Sequence, residues 1–133
     1  MVNAEEAYKG ILAEMKNHIA GKTETIELLF MTIVANGNAL LEGVPGVAKT
    51  TITKSLASCI QANFTRIQGS PDLTASDIVG YTTLDKNNET VFRKGPIFTN
   101  ILLVDELNRA PPKTMAGFLE ALEERVLTVV GVD

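Results

Sequence analysis

The sequence predicts an α/β fold: a three-layer αβα core built on a parallel sheet. Three observations lead there. Short apolar runs alternate with helical periodicities in the order strand, loop, helix, strand, insertion, strand, helix, which is the order of parallel α/β units. The run Ile101-Leu102-Leu103-Val104 is unbroken by polar residues, as expected of a parallel strand covered on both faces. A glycine-rich loop joins one expected strand to the helix that follows it, and an acid pair closes another.

Taken in chain order, residues 4–20 carry Ala7, Ile11, Leu12, Met15 and Ile19 at helical spacing, and Gly21 is a stop signal. A second helix opens at Thr23-Glu24-Thr25-Ile26-Glu27, continues through Leu28, Leu29, Met31, Ile33 and Val34, and ends at Asn36-Gly37-Asn38. Ala39-Leu40-Leu41 reads as a short strand feeding the glycine-rich loop, and Thr50 to Gln61 as a helix with Ile52, Leu56 and Ile60 on one side. Phe64-Thr65-Arg66-Ile67-Gln68 is a second strand. Residues 69–80 are turn-rich, with a helical turn expected at 75–79. Two β-prone runs, Tyr81–Leu84 and Thr90–Phe92, flank Asp85-Lys86-Asn87-Asn88-Glu89 and predict a hairpin. Pro111-Pro112 suits a helix start, Met115, Phe118, Leu119 and Leu122 give that helix an apolar stripe, and Val126 to Val130 reads as a last strand. The chain shows no internal repeat, low-complexity tract or linker, so a single domain is expected.

Composition narrows the function classes. The chain has 133 residues, 45% of them hydrophobic, enough for a packed core. The net charge of -4 lacks the basic excess of a dedicated nucleic-acid surface, so no nucleic-acid partner is expected. The single cysteine, Cys59, excludes an intrachain disulfide and sits among apolar neighbours as a small core residue. The single histidine, His18, has no ligand cluster near it in sequence. The acidic N-terminus is unlike a secretory signal, and no apolar run reaches the roughly 18 residues of a membrane span, so a cytoplasmic protein is expected.

The chemistry lies in two motifs. Gly43-Val44-Pro45-Gly46-Val47-Ala48-Lys49-Thr50 has the pattern of a phosphate-binding loop between a strand and a helix. Glycines let the backbone curl so that several N–H groups converge on one phosphate, and the helix adds its own unsatisfied N–H groups and the positive end of its dipole. The lysine contacts β/γ oxygens and the threonine hydroxyl ligates Mg²⁺. Ala48 departs from the commoner glycine and requires negative φ there. The second motif is Asp105-Glu106 at the end of the best strand. There an aspartate holds Mg²⁺, directly or through water, and a glutamate polarises the attacking water. Taken singly, the loop could be an ordinary strand–turn–helix corner and the acids a surface turn. Their joint presence in this order points to ATP with Mg²⁺. The Asn/Thr-Lys-x-Asp signature that would indicate guanine is absent.

The segment Leu41 to Thr50 resembles the phosphate loop of the MoxR family of AAA+ ATPases, which also carries alanine at the position of Ala48. Phe64–Gln68 with Pro71-Asp72-Leu73 and Ser76-Asp77-Ile78 is similar to the family's second strand and the segment after it, and Gly95-Pro96-Ile97-Phe98 precedes the acidic strand as in the family. Asp105-Glu106-Leu107-Asn108-Arg109-Ala110-Pro111-Pro112-Lys113-Thr114 matches the family's long signature, continued by Leu119–Glu124. The likeness runs from about Ile19 to Val130.

The resemblance implies a P-loop AAA+ core binding ATP and Mg²⁺. Gly43, Val44, Pro45, Gly46, Val47, Ala48, Lys49, Thr50 and Thr51 would form the phosphate site, with Thr50 and Asp105 on Mg²⁺, and Glu106 and Lys49 as catalytic groups. Ile19-Ala20-Gly21 would lie by adenine. Residues 81–94 would be the helix-2 insertion, a hairpin facing a ring pore. Asn108 and Arg109 would either face a neighbouring subunit or stabilise the turn before the Pro-Pro helix. The family forms rings, commonly hexamers, and its chaperone-like members remodel or activate partners, among them proteins with von Willebrand factor A domains. The family's fourth core strand, arginine finger and helical lid have no counterpart before residue 133, so a core truncated before that strand, in a fragment of a longer ATPase, is expected. A trans arginine contributes about 10³–10⁵ in rate, so slow hydrolysis by this chain alone is expected. Two other readings stand beside this one: a non-catalytic nucleotide-binding or interaction fragment, and another helix-2-insertion motor such as a chelatase or helicase subunit.

Overall fold

The computed structural model describes residues 3–16, 23–41 and 48–124. They belong to two compact units, Met1–Asn63 and Phe64–Asp133, each with its own apolar cluster.

The described elements of the first unit are helical. Helix α1 (Ala4–Lys16) begins behind Asn3, whose Oδ1 accepts the Glu6 N–H at 2.8 Å, and Glu5 and Glu6 complement the positive helix end. Helix α2 spans Thr23–Val34 and α3 spans Ala48–Cys59. Ile11 and Met15 of α1, Ile26 and Leu29 of α2, and Ile52 and Leu56 of α3 are buried together, each pair at the i,i+3 or i,i+4 spacing that puts side chains on one helix face. Burial of each such side chain contributes about 1.5–3 kcal/mol. Cys59 is half-buried against this cluster, as its apolar setting suggests. Burial, and then the negative charge of Glu14, pushes its thiol above the usual cysteine range.

Both α2 and α3 end the same way. Asn36 (φ 53°) and Gln61 (φ 54°) adopt left-handed backbone, and the next N–H turns back into the helix: Gly37 to Thr32 O and Ala62 to Ala57 O, both at 2.9 Å. The stop at Asn36-Gly37 follows the sequence reading. The strand expected at Ala39-Leu40-Leu41 does not: these residues carry no ladder, and Leu40 is 84% exposed. Strand backbone needs a neighbour for its N–H and C=O groups. In this unit the other described elements are helices.

The second unit holds the sheets. Strands β1 (Phe64–Gln68) and β4 (Ile101–Asp105) pair in parallel, with Phe64 registered on Ile101 and Gln68 on Asp105. Gly69 N–H extends the ladder to Asp105 O at 2.7 Å. Ile67 of β1 with Leu102 and Val104 of β4 packs on Ile78 of α4 (Ala75–Val79) and Phe118 of α5 (Pro112–Glu124), so the helices cover one face of the parallel pair. This is the expected α/β architecture. One expectation fails in degree: every residue of β4 is half-buried rather than fully covered, because among the described residues β4 has β1 as its sheet neighbour and helices on the Leu102/Val104 face.

The turn-rich segment is ordered by a capping box. Thr74 N–H and Oγ1 donate to Asp77 Oδ2 at 2.8 and 2.7 Å, and Asp77 N–H returns to Thr74 Oγ1. Thr114 Oγ1 of α5 donates to Leu73 O at 2.7 Å and ties the two helices together.

Strands β2 (Gly80–Leu84) and β3 (Thr90–Lys94) form an antiparallel hairpin, with Gly80 opposite Lys94 and Leu84 opposite Thr90. Its tip is held by Asp85, whose Oδ1 accepts N–H groups from Asn87 (2.7 Å) and Glu89 (2.9 Å), and Asn88 takes φ 62°. At its root Gly80 has φ 107°, and a Cβ there would collide with Arg93 O. The last strand expected, Val126 to Val130, lies outside the described residues.

Candidate functional site

Strand β4 delivers its acids at its carboxyl end, where parallel sheets place ligands. Asp105 is the last strand residue. Glu106 then takes φ 51° and ψ 41°, a left-handed conformation uncommon for a residue with a side chain. This turn ends the strand and lets Arg109 N–H reach Glu106 O at 3.0 Å, opening the 3-10 turn Leu107–Arg109. The Arg109 side chain folds back over the same turn, its Nη1 donating to Glu106 Oε2 at 2.9 Å. The contact closes the turn that precedes the Pro111-Pro112 helix.

Strand β1 brings a second cation to the acids. Alternate strand residues share a face, so Arg66 and Gln68 stand on the face opposite buried Ile67. The register sets Gln68 beside Asp105. Arg66 Nη2 donates to Asp105 Oδ2 at 2.8 Å and to Gln68 Oε1 at 2.9 Å. The Arg109 hydrogen bond holds the Glu106 carboxyl below the usual glutamate range. Slight burial opposes it, a Gln68 hydrogen bond and the Arg109 charge assist, and the Asp105 charge opposes. A carboxylate so held is a weaker base than a free one.

Arg66 and Gln68 were not singled out as site residues in the sequence. Their signal was present: charged and polar residues alternate with Ile67 on a strand whose partner ends in Asp105, but only the register reveals that they reach it.

The phosphate-loop residues divide between described and undescribed positions. Gly43, Val44, Pro45, Gly46 and Val47 lie outside the described residues, as does Gly21. Ala48, Lys49, Thr50 and Thr51 form the first turn of α3, in the first unit. Helical backbone at Ala48 is the negative-φ conformation an alanine requires. Lys49 and Thr50 are half-buried and Thr51 is exposed. Lys49 O accepts the Thr53 hydroxyl at 2.8 Å. Asp105 and Glu106 are in the second unit.

Among the described residues no three His, Cys, Asp or Glu side chains gather into a cluster. Asp105 offers a hard carboxylate oxygen at a strand end, the donor type that fits Mg²⁺ carried with phosphates.

A parallel strand pair covered by helices, with an aspartate and a glutamate at the strand end, is the arrangement of a P-loop nucleoside triphosphatase core. Comparison with known proteins agrees. The family model described as "ATPase family associated with various cellular activities (AAA)" matches residues 38–133. The uncharacterized protein YeaC of Bacillus subtilis is 42% identical over 132 residues, which cover 96% of this chain and 41% of that protein. The chaperone MoxR1 of Mycobacterium tuberculosis is 39% identical over 119 residues, covering 89% of this chain and 32% of its own length. A crystal structure of a candidate ATPase from Cytophaga hutchinsonii superposes with a TM-score of 0.74 at 35% identity, covering 98% of this chain and 42% of that one. The chain belongs to the ATPase family associated with various cellular activities, in its MoxR-type branch. It spans well under half the length of these relatives. Among the described residues no helix is long and apolar enough to cross a membrane.

Proposed function

We propose that the protein binds ATP with Mg²⁺ and hydrolyses it, as the nucleotide-binding part of a MoxR-type AAA+ ATPase. The observation carrying this reading is the acid pair Asp105-Glu106 at the carboxyl end of parallel strand β4, in a family named for ATPases. In this reading the loop Gly43, Val44, Pro45, Gly46, Val47 and Ala48 wraps the phosphates, and its backbone N–H groups, all but that of Pro45, which has none, point at them. Lys49 offsets charge on the β/γ oxygens, Thr50 and Asp105 supply oxygens to Mg²⁺, and Thr51 extends the first turn of α3. Mg²⁺ supplies charge neutralisation on the phosphates. Glu106 orients a water and accepts its proton. Gly21 would lie near the adenine.

At the level of the whole protein we propose a ring, hexameric as is common in this branch, that couples turnover to remodelling or activation of partner proteins. The name of the Mycobacterium relative, a chaperone, supports this direction. A protein with a von Willebrand factor A domain is the partner class to try first. The hairpin β2–β3 would be the helix-2 insertion facing the pore. The family's catalytic glutamate favours an enzyme over a purely binding module, because a binding module needs no base.

Glu106→Gln tests the assignment. The expected outcome is loss of ATP turnover with Mg²⁺-dependent nucleotide binding retained. Turnover unchanged by Glu106→Gln would contradict the role given to Glu106.

A further inference from the structure

The carboxylate proposed for Mg²⁺ carries a protein cation, Arg66. The Arg66 guanidinium donates to Asp105 Oδ2 at 2.8 Å, and the same Nη2 is steadied by Gln68 Oε1 at 2.9 Å. The arrangement follows from the strand pair: Gln68 is registered on Asp105, and Arg66 stands two residues earlier on the same face, within reach of the neighbouring strand's carboxylate. Arg66 and Asp105 side chains are 45% and 34% exposed, so the pair is open to exchange.

A carboxylate oxygen engaged by a guanidinium is not free for a metal ion, and Mg²⁺ demands near-ideal octahedral geometry from each of its ligands. From this we propose that Arg66 is the internal counter-ion of Asp105, competing with the divalent cation for that carboxylate and thereby setting the metal requirement of the site. The proposal rests on the reading of Asp105 as a Mg²⁺ ligand. Arg66 and the divalent cation compete for Asp105 Oδ2, and the phosphates of a bound nucleotide would favour the metal by giving it further oxygen ligands. The guanidinium has no acceptor and stays charged, so it cannot join the metal shell. It must leave Asp105 Oδ2 for the metal to approach that oxygen. Arg109 does not share this role, because its partner is Glu106.

The size of the effect follows from exposure. A solvent-exposed ion pair contributes modestly, so removing the competitor should tighten metal binding by roughly two- to fivefold rather than by orders of magnitude.

The test is a titration of Mn²⁺ onto the chain saturated with a non-hydrolysable ATP analogue, with the bound fraction read by water-proton relaxation enhancement. Arg66→Gln should lower the Mn²⁺ dissociation constant roughly two- to fivefold. Arg66→Lys, which keeps the charge, should remain closer to the parent, and Asp105→Asn should weaken metal binding in every background. Far-UV circular dichroism confirms that the variants fold, which the exposure of Arg66 leads one to expect. A metal site that depends on Asp105 but is unchanged or weakened by Arg66→Gln would overturn the counter-ion proposal alone. A site indifferent to Asp105→Asn would overturn both the proposal and the metal reading beneath it.

Discussion

Arg109 Nη1 lies 2.9 Å from Glu106 Oε2, closing an ion pair across the single 3-10 turn that follows strand β4. The residue proposed as the base is thus tied to a cation three positions downstream. Because the Arg109 hydrogen bond is the largest influence lowering the Glu106 pKa, Arg109→Ala should raise it toward the ordinary glutamate value. Carbon-detected NMR titration of the Glu106 side-chain carboxyl would measure this. A midpoint unchanged by the substitution would remove Arg109 as its cause.

The capping box of α4 gives a pH-dependent contribution to stability. Asp77 is held below the usual aspartate range, first by the Thr74 N–H and then by the Thr74 hydroxyl. A carboxyl with a depressed folded-state pKa stabilises the fold at pH above its unfolded value, and that contribution is lost as pH falls through the folded value. Thr74→Ala removes the hydroxyl. The expected result is a loss of stability at neutral pH that shrinks in acid, where Asp77 is protonated in both proteins. Denaturant melts at neutral and acid pH check it, and an equal loss at both would contradict it.

Gly80 has φ 107° and ψ -179°, a region reserved almost wholly to glycine, and an added Cβ would meet Arg93 O. Gly80→Ala should therefore destabilise the second unit by about 1–3 kcal/mol from backbone strain alone, with the clash adding to it. Thermal unfolding measures the loss. A neutral substitution would mean the hairpin root differs from that described.

Core and surface positions should separate cleanly in the same assay. Ile78 is 0% exposed at the centre of the second cluster, so Ile78→Ala should cost about 2–5 kcal/mol. Leu84, at the end of β2, is 60% exposed, and Leu84→Ala should change stability by no more than about 0.5 kcal/mol. Comparable losses at both positions would show that Leu84 is covered in solution.

The sequence made local features legible and left pairwise ones hidden. The helices around Ile11, Ile26 and Leu56, the Asn36-Gly37 stop, the short helix at Ala75–Val79 and the Asn-turned hairpin each follow from periodicity or turn chemistry within a few residues. The parallel pairing of β1 with β4 was implied by the α/β order, and the register came only from the structure. That register carries the Arg66–Asp105 contact, which spans thirty-nine positions of sequence and leaves no local signature. The run Ala39-Leu40-Leu41 shows the reverse: apolar residues that read as a strand take that form only where a neighbour pairs with them, and within the first unit none of the described elements is a strand. The αL turn at Glu106 was equally invisible, because nothing in a Glu-Leu dipeptide favours it. Hydrogen bonds across the 3-10 turn hold it there.

We propose that the Gly43–Thr50 loop and the Asp105-Glu106 pair serve one nucleotide. Titration of the chain with a fluorescent ATP analogue and Mg²⁺, beside Lys49→Ala, tests it most directly. Saturable, Mg²⁺-dependent binding that disappears with Lys49→Ala and loses its Mg²⁺ dependence with Asp105→Asn is the expected result. Binding indifferent to both substitutions, or its absence in a folded chain, would contradict the claim for this chain.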